Sequence, residues 1–488
     1  MIARLPGLNR SLWYDEVSYS TNHLTPTFHA LSIFLSTNIS APIYRCFMFF
    51  YNKMIPNEDI LVRLPSLFFG VLSILLLYRI ANRFQTRFSP EIAAICLCFS
   101  PSLVWYHGEA THYSMTMFFL LCCTWYLYEI EAEGPSAKQT SKSALLFLSF
   151  SFLMCMTHFY AMAFLVPFSL ISLRFKGSAR RVALLSLALT TSLTLGYIGI
   201  KIYWGSQAFT MSFLRDLNLI ELPMLILNWY THGNTIWTYP PTSPPNLLKE
   251  YNTHPSLFFI HLSFLVLILN AITKLGRREK REYYFDLVCL SFTVPGALFL
   301  LYLFGVQGLY LERYTLLSLP FFLTLVALSA QDFARPRARF ALTTILLATV
   351  IIGYGCLLKK PFQWTVYKHN SDWKSVATKY SNIRSNDPII LMATAPSVAL
   401  EYYLRKVNST VVFQSFPSKK AKYQLFKKKD RDVHLVKNKT WAGDFPTAKR
   451  ALRSHPEYQY ERTYEFDGVK IEVYKTKLIK KQIASHKT

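Results

Sequence analysis

Apolar residues in this sequence gather in long runs rather than in alternation with polar ones. Ten runs, at roughly 61–80, 90–106, 113–130, 143–157, 158–173, 182–204, 254–274, 284–305, 312–330 and 339–358, are each about 15–22 residues long. That is the length of helix that crosses a hydrocarbon layer about 30 Å thick. The stretch from Ser143 to Leu173 is one continuous apolar run, too long for a single upright span. Its one polar interruption, Thr157-His158-Phe159-Tyr160, is where a turn is expected. Before the first run, Phe28, Leu31, Ile33, Phe34 and Leu35 and then Phe47 to Tyr51 are set among polar residues, a pattern for short helices lying in the headgroup plane. After the last run the pattern changes to that of a small α/β domain. Helices are expected from Asp372-Trp373 and over Val398 to Leu404. Strands are expected over Pro388 to Met392, Thr410 to Phe413 and Val469 to Tyr474, and a basic loop over Lys419 to Arg431.

The expected fold is an α-helical polytopic membrane protein with about ten transmembrane helices and a small C-terminal α/β domain outside the membrane. Its expected divisions are 1–60, a first loop with interfacial helices; 61–358, the helical bundle; and 359–488, the α/β domain. Charge supplies an orientation. The short loops 82–87, 174–181, 274–281 and 335–339 are rich in Lys and Arg, and with ten spans all four fall on one side, the cytoplasmic side by the positive-inside rule. The first 60 residues, the long loop from about 205 to 253, the turn at 305–311 and the tail then share the outer side.

Of the 488 residues, 52% are hydrophobic and the formal charge is +25. From Lys359 onward there are 27 Lys and Arg against 11 Asp and Glu, a net of +16. No nucleic-acid-binding motif accompanies this charge, so nucleic acid is not an expected partner; anionic headgroups, polyanionic glycolipids and a solvated surface of ordinary basic bias stay open as readings of it. Seven of the eight Cys fall in or at the ends of apolar runs and no C-x-x-C pair exists, which leaves them as small packing residues.

Chemistry-bearing residues collect between the spans. Leu12-Trp13-Tyr14-Asp15-Glu16 sets two carboxylates after two aromatic rings. An Asp there can act as a general base or share a divalent cation with a second acid; the same residues also suit a polar loop with interface anchors. Ala41-Pro42-Ile43-Tyr44, Arg63-Leu64-Pro65-Ser66, Glu109-Ala110-Thr111-His112-Tyr113 and Glu312-Arg313-Tyr314 all fall on the outer side. Ionisable groups at membrane depth are costly and mark functional cavities.

The order Arg4-Leu5-Pro6-Gly7-Leu8, Trp13 to Glu16, Pro42-Ile43-Tyr44, Arg63 to Ser66 and Glu109 to Tyr113 resembles the family 39 glycosyltransferases, over roughly residues 1–330. These are GT-C integral-membrane enzymes that include protein O-mannosyltransferases and aminoarabinose transferases. The resemblance implies an inverting transfer of a sugar from a polyprenyl-phosphate donor to a hydroxyl of a lipid, glycan or protein at the outer face. It implies Asp15 as the general base, with Glu16 supporting it and Glu109 as a second acid. It also allows a divalent cation on Glu16 and Glu109. Arg63 and Arg313 are candidates for the donor phosphate, because guanidinium forms forked bonds to phosphate oxygens; snorkelling at a helix end is the other reading of Arg63. His112, Tyr113, His158 and Tyr314 are candidate cavity residues. The implied location is the bacterial inner membrane, with the site and the α/β domain periplasmic.

Two departures stand out. Family members often carry Arg-Pro where this chain has Thr111-His112, so a cation is replaced by an imidazole. They also place a transmembrane helix before the first outer loop, whereas this sequence begins almost at the motif. Three other readings stay open: an O-antigen polymerase or ligase, which would depend on the 205–253 loop; a transporter, against which no internal repeat is visible; and a non-catalytic protein that binds lipid-linked glycan.

Overall fold

The computed structural model describes residues 8, 10–12, 16–17, 35, 41–55, 58–84, 88–133, 137–203, 221–233, 235, 251–277, 281–304, 312–359, 372–381, 389–393, 398–407, 412–415, 432–438, 449–450, 452–453, 458–466 and 469–476. The expected basic loop at 419–431 and the 305–311 turn lie outside these residues. Contacts divide the chain into two units. Met1–Leu8 with Thr25–Pro361 form one, and Asn9–Leu24 with Phe362–Thr488 form the other.

Among the described residues the first unit is built of helices and their turns. In order it contains α1 (Pro42–Met54), α2 (Asp59–Asn82), α3 (Ser89–Phe99), α4 (Pro101–His107), α5 (Tyr113–Glu133) and α6 (Ala137–Thr157). A 3-10 turn (Phe159–Phe164) leads into α7 (Leu165–Leu173), followed by α8 (Gly177–Tyr203), α9 (Glu221–His232), α10 (Pro255–Lys274) and α11 (Arg281–Leu303). A second 3-10 turn (Glu312–Ser318) leads into α12 (Leu319–Gln331) and α13 (Pro336–Lys359). Among the described residues six helices are long and apolar enough to cross a membrane, and shorter apolar helices fill most of the remaining expected spans.

The run expected as one span over 90–106 is instead two helices. Pro101 opens α4, and the residue before a proline is pushed out of the helical region. Ser100 accordingly has φ −55° and ψ 118°, and its N–H closes α3 on Cys96 O at 2.8 Å. The turn expected near Thr157 is present, with His158 extended between α6 and the first 3-10 turn.

Burial separates helices of similar composition. Every residue of α12 is buried, as expected of a helix that is apolar all round and surrounded by others. In contrast, α8, α10 and α13 keep only 28% of their most apolar stretches inside. They turn side chains such as Leu185, Leu193, Phe259, Leu269, Phe340 and Ile352 outward. Apolar surface on that scale is stable only in contact with lipid. The chain is a multi-pass membrane protein.

At the end of the bundle where α5 finishes, charges are locked together. Arg174 donates Nε and Nη2 to the two oxygens of Asp286 at 3.1 and 2.5 Å, and Nη1 to Glu131 at 3.0 Å and Glu282 at 3.1 Å. Tyr128 OH adds a bond to Asp286 Oδ2 at 3.2 Å. Nearby, Arg83 pairs with Glu129 and lies 4.7 Å from the Trp125 ring centroid.

In the second unit, α14 (Trp373–Lys379) and α15 (Val398–Lys406) accompany a five-stranded sheet. Its strands are β1 (Ile389–Ala393), β2 (Val412–Ser415), β3 (Asp432–Asn438), β4 (Tyr458–Phe466) and β5 (Val469–Thr476), in the order β2-β1-β3-β5-β4. The first three are parallel, and β5 and β4 are antiparallel. Asp372 caps α14 by accepting the Ser375 N–H at 3.2 Å. Strands β3 and β4 were not among the expected elements. In β3 charged ends hide a short apolar centre, and β4 carries Glu461-Arg462 at its middle and is mostly exposed, so pairing with neighbours rather than local pattern makes each a strand.

Inside this unit Tyr380 OH lies 2.7 Å from His434 Nδ1. Burial, with help from the Lys379 and Arg462 charges, depresses the His434 pKa to about 4. An unfolded chain binds this proton near pH 6.5, whereas the folded domain binds it only near pH 4. The histidine's contribution to stability is therefore complete above pH 6.5 and is lost as pH falls through that window, by about 1.4 kcal/mol per unit. Tryptophan-fluorescence melts of the full-length protein at pH 7 and pH 5 are expected to show it. His434→Gln, which keeps a polar neighbour for Tyr380, should flatten the dependence.

Candidate functional site

The opposite end of the bundle, about 30 Å along the 21-residue α5 from the charge knot, gathers the candidate residues of this unit. Ala41 there has φ 53° and ψ 45°, a left-handed conformation rare for a residue with a Cβ. It turns the chain so that Pro42 opens α1 and buried Tyr44 lies 6.2 Å, ring to ring, from His112. Backbone strain of this kind is held in place by its surroundings and concentrates at functional sites.

The 108–112 turn between α4 and α5 is completely enclosed, with Glu109 and Thr111 at 0% exposure and His112 at 3%. Trp105 donates its indole N–H to Glu109 Oε1 at 2.5 Å from one turn earlier. Ser66 of α2 reaches across to donate to Thr111 O at 3.2 Å. Close approach of the same helices depends on Gly70, where an added Cβ would stand 2.5 Å from His107. Arg63, one turn before Ser66, is fully buried and donates Nη1 to Leu8 O at 2.6 Å. Snorkelling to water is therefore not its conformation. The bond ties Leu8 to the start of α2, a contact that the sequence does not show.

Around this turn stands a cluster of rings. His112 lies 4.5 Å from both Tyr113 and His158, and Tyr113 lies 5.4 Å from His158. Tyr160 stacks on Tyr314 with centroids 4.0 Å apart and planes 14° apart, and His158 lies 5.6 and 6.2 Å from the two. The Arg313 guanidinium sits 5.8 Å from the Tyr314 ring centroid. Among the described residues, His158 Nε2 is buried with no hydrogen-bond partner. The structure thus brings together five candidates, His112, Tyr113, His158, Arg313 and Tyr314, from three separate segments, with Glu109 in the adjoining turn.

Asp15 lies outside the described residues. Glu16 is fully buried and belongs to the second unit. Three contributors to the cluster were not singled out beforehand as site residues: Tyr44, Trp105 and Tyr160. Tyr160 lay inside the polar interruption after the sixth helix, a signal used only to place a turn.

No known family model matches this sequence, and no curated protein does. Similarity appears among solved structures. ArnT from Cupriavidus metallidurans in the apo state aligns with a TM-score of 0.59 at 11% identity, covering 97% of this chain and 96% of that one. The same protein bound to undecaprenyl phosphate gives 0.56 at 10%, with the same coverage. The apo oligosaccharyltransferase of Archaeoglobus fulgidus gives 0.49 at 10%, over 88% of this chain and 65% of that one. The fold is that of the GT-C glycosyltransferases.

The ring cluster of this GT-C fold has a polar neighbour that sequence reading missed. Tyr113 touches Tyr106, which touches Trp229 of α9, at 5.1 and 5.9 Å. One turn on, His232 Nε2 lies 3.3 Å from Asn228 Oδ1, and its ring stands 6.2 Å from that of His261. Gly233 ends α9 at φ 59°, with Ser102 so close that a Cβ would lie 2.8 Å from its hydroxyl. As for a divalent cation, no group of three or more His, Cys, Asp or Glu converges among the described residues, and Glu109 already has one oxygen engaged by Trp105.

Proposed function

We propose that this protein transfers a sugar from a polyprenyl-phosphate donor to a hydroxyl acceptor by inverting displacement at the outer face of the membrane. The observation that carries the reading is the cluster of buried Glu109, His112, Tyr113 and Tyr314 with half-buried His158 and Arg313 at one end of a GT-C bundle. Support also comes from ArnT, of the same fold, having been crystallised with undecaprenyl phosphate.

Each group has a physical task in this reading. Arg313 and Arg63 neutralise the donor phosphate, which makes prenyl phosphate a good leaving group without a strong acid beside it. The stacked Tyr160 and Tyr314 offer a flat face to a sugar ring. His112 and His158 supply hydrogen-bonding nitrogens, His112 at the place where the family often carries Arg-Pro. Asp15 takes the acceptor proton as the new glycosidic bond forms. Glu109, held by Trp105, supplies negative charge near the anomeric carbon rather than a nucleophile, because one inverting step needs only one base. The Lys- and Arg-rich loops at the other end support an extracytoplasmic cluster, and the proposed location is a bacterial inner membrane.

Transfer from radiolabelled undecaprenyl-phosphate sugars, in proteoliposomes holding the full chain, tests the reading. Arg313→Ala is expected to lower kcat/KM by about 10–100-fold, chiefly through KM for the donor, the value of one charge-assisted contact to phosphate. Arg313→Lys should recover part of it. An unchanged donor KM in Arg313→Ala would remove the arginine from the donor site. Label retained in the lipid fraction with no transfer by wild-type protein would favour a binding protein over an enzyme.

A further inference from the structure

Strand β4 forms one edge of the C-terminal sheet, and cations gather on a ring at that edge. Lys379 Nζ, at the end of α14, lies 3.5 Å from the ring centroid of Tyr464 in β4, and the Arg462 guanidinium lies 5.0 Å from it. Charges so near each other add their fields, because screening acts over about 8–10 Å at moderate salt. Pairing sets Arg462 opposite Val473 and Tyr464 opposite Ile471, and His434 of β3 meets Val473 from the other side. Lys475 comes two positions after Val473, so alternation along β5 puts it on the same face. A bulge helps to bring these groups together. Register shifts between Tyr460 and Arg462, leaving Glu461 as an extra residue in β4. Its carboxylate pairs with Lys475 at 2.7 Å and lies 3.6 Å from Arg462 Nε. Among the described residues, the three cations share this one carboxylate.

Lys379 and Arg462 are exposed and Lys475 is half-buried, so the excess positive charge faces solvent. His434 registers it: after burial, Lys379 and Arg462 are the next causes of its depressed pKa, and Lys475 adds to them. We propose that Lys379, Arg462 and Lys475 form a binding site for a phosphate group, with Tyr464 as the platform that holds two of the cations. A phosphate carries oxygens in tetrahedral directions and can accept from a guanidinium fork and an ammonium at once. Its charge offsets the repulsion among like charges that a ring alone only partly compensates. A lipid headgroup and a soluble phosphate ester both supply this group. None of these residues belongs to the ring cluster, so binding here does not depend on transferase activity.

Lysine acetylation, read by mass spectrometry on the full chain in phosphatidylcholine nanodiscs at constant ionic strength, tests the site. Glycerol phosphate is added in one arm and vesicles of phosphatidylglycerol in the other. The expected result is acetylation of Lys379 and Lys475 slowed about threefold or more in at least one arm, in proportion to occupancy. Lys470, on the opposite face of β5 and 3.9 Å from Glu465, should react at an unchanged rate. Arg462→Gln leaves both reporter lysines in place and should raise the level of phosphate or lipid needed for half protection about fivefold. Arg405→Gln removes an exposed cation already paired with Glu401 and should leave that level unchanged.

Protection by glycerol phosphate assigns the site to a soluble ester, and protection by the vesicles alone assigns it to a headgroup. No protection of Lys379 in either arm would overturn the site. So would equal protection of Lys470, or equal weakening by Arg405→Gln, because both are marks of general surface charge.

Discussion

Proteoliposomes carrying Asp15→Asn are expected to transfer sugar about 1000-fold more slowly than wild type, with donor KM unchanged and expression equal. The size follows from the task, since general-base assistance by a placed carboxylate accounts for about 100- to 10,000-fold. Asparagine keeps the shape and hydrogen-bonding reach of aspartate but cannot accept the acceptor's proton at neutral pH. The loss should therefore fall on kcat. Glu109→Gln separates the two acids. Its carboxylate is enclosed and engaged by Trp105 at 2.5 Å, so its replacement should cost less in kcat and more in folding. Equal transfer by wild type and Asp15→Asn would defeat the proposed mechanism. A loss confined to Glu109→Gln would move the base to that residue.

The largest effect on stability is expected at the other end of the bundle. Arg174→Ala should cost about 3–5 kcal/mol, because it leaves the fully buried Asp286 carboxylate without the two nitrogens that now face its oxygens. Glu131 and Glu282 lose the same cation, and three acidic groups are left close together. Melting of the purified full chain in detergent should fall by several degrees, while transfer per folded molecule is kept because the active end is about 30 Å away. Removing both partners in Arg174→Met/Asp286→Leu should recover most of the loss, since the cost lies in the stranded charge rather than in the missing attraction. A double variant no more stable than Arg174→Ala would show that the guanidinium holds α5, α7 and α11 together by packing.

Much of the membership of the ring cluster was legible before the fold. His112, Tyr113, His158, Arg313 and Tyr314 stood out because polar or aromatic residues beside apolar spans are few and fall on one side once the spans are counted. Their mutual contacts were not legible. Tyr160 packs face to face with Tyr314, a residue that follows it by more than 150 positions in sequence. Arg63 read as a phosphate ligand or a snorkelling side chain, and its burial, with a bond to Leu8 O, removes the second reading and leaves the first a proposal.

Sequence alone determined that the chain spans a membrane many times, where most spans lie, and that a small α/β domain follows them. These are consequences of run length, charge at the loops and a change of period, all of which are local. Only the tertiary structure decided which span is central. Leu319–Gln331 is buried at every residue, whereas Pro255–Lys274 and Pro336–Lys359 expose most of their apolar stretches, although all three are predominantly apolar. The reason is that lipid tails and neighbouring helices accept the same side chains, so an apolar span carries no mark of which it meets. Only the structure, too, placed Asn9–Leu24 with a domain that begins about 340 residues later, through a hydrogen bond and two buried side chains that no local pattern announces.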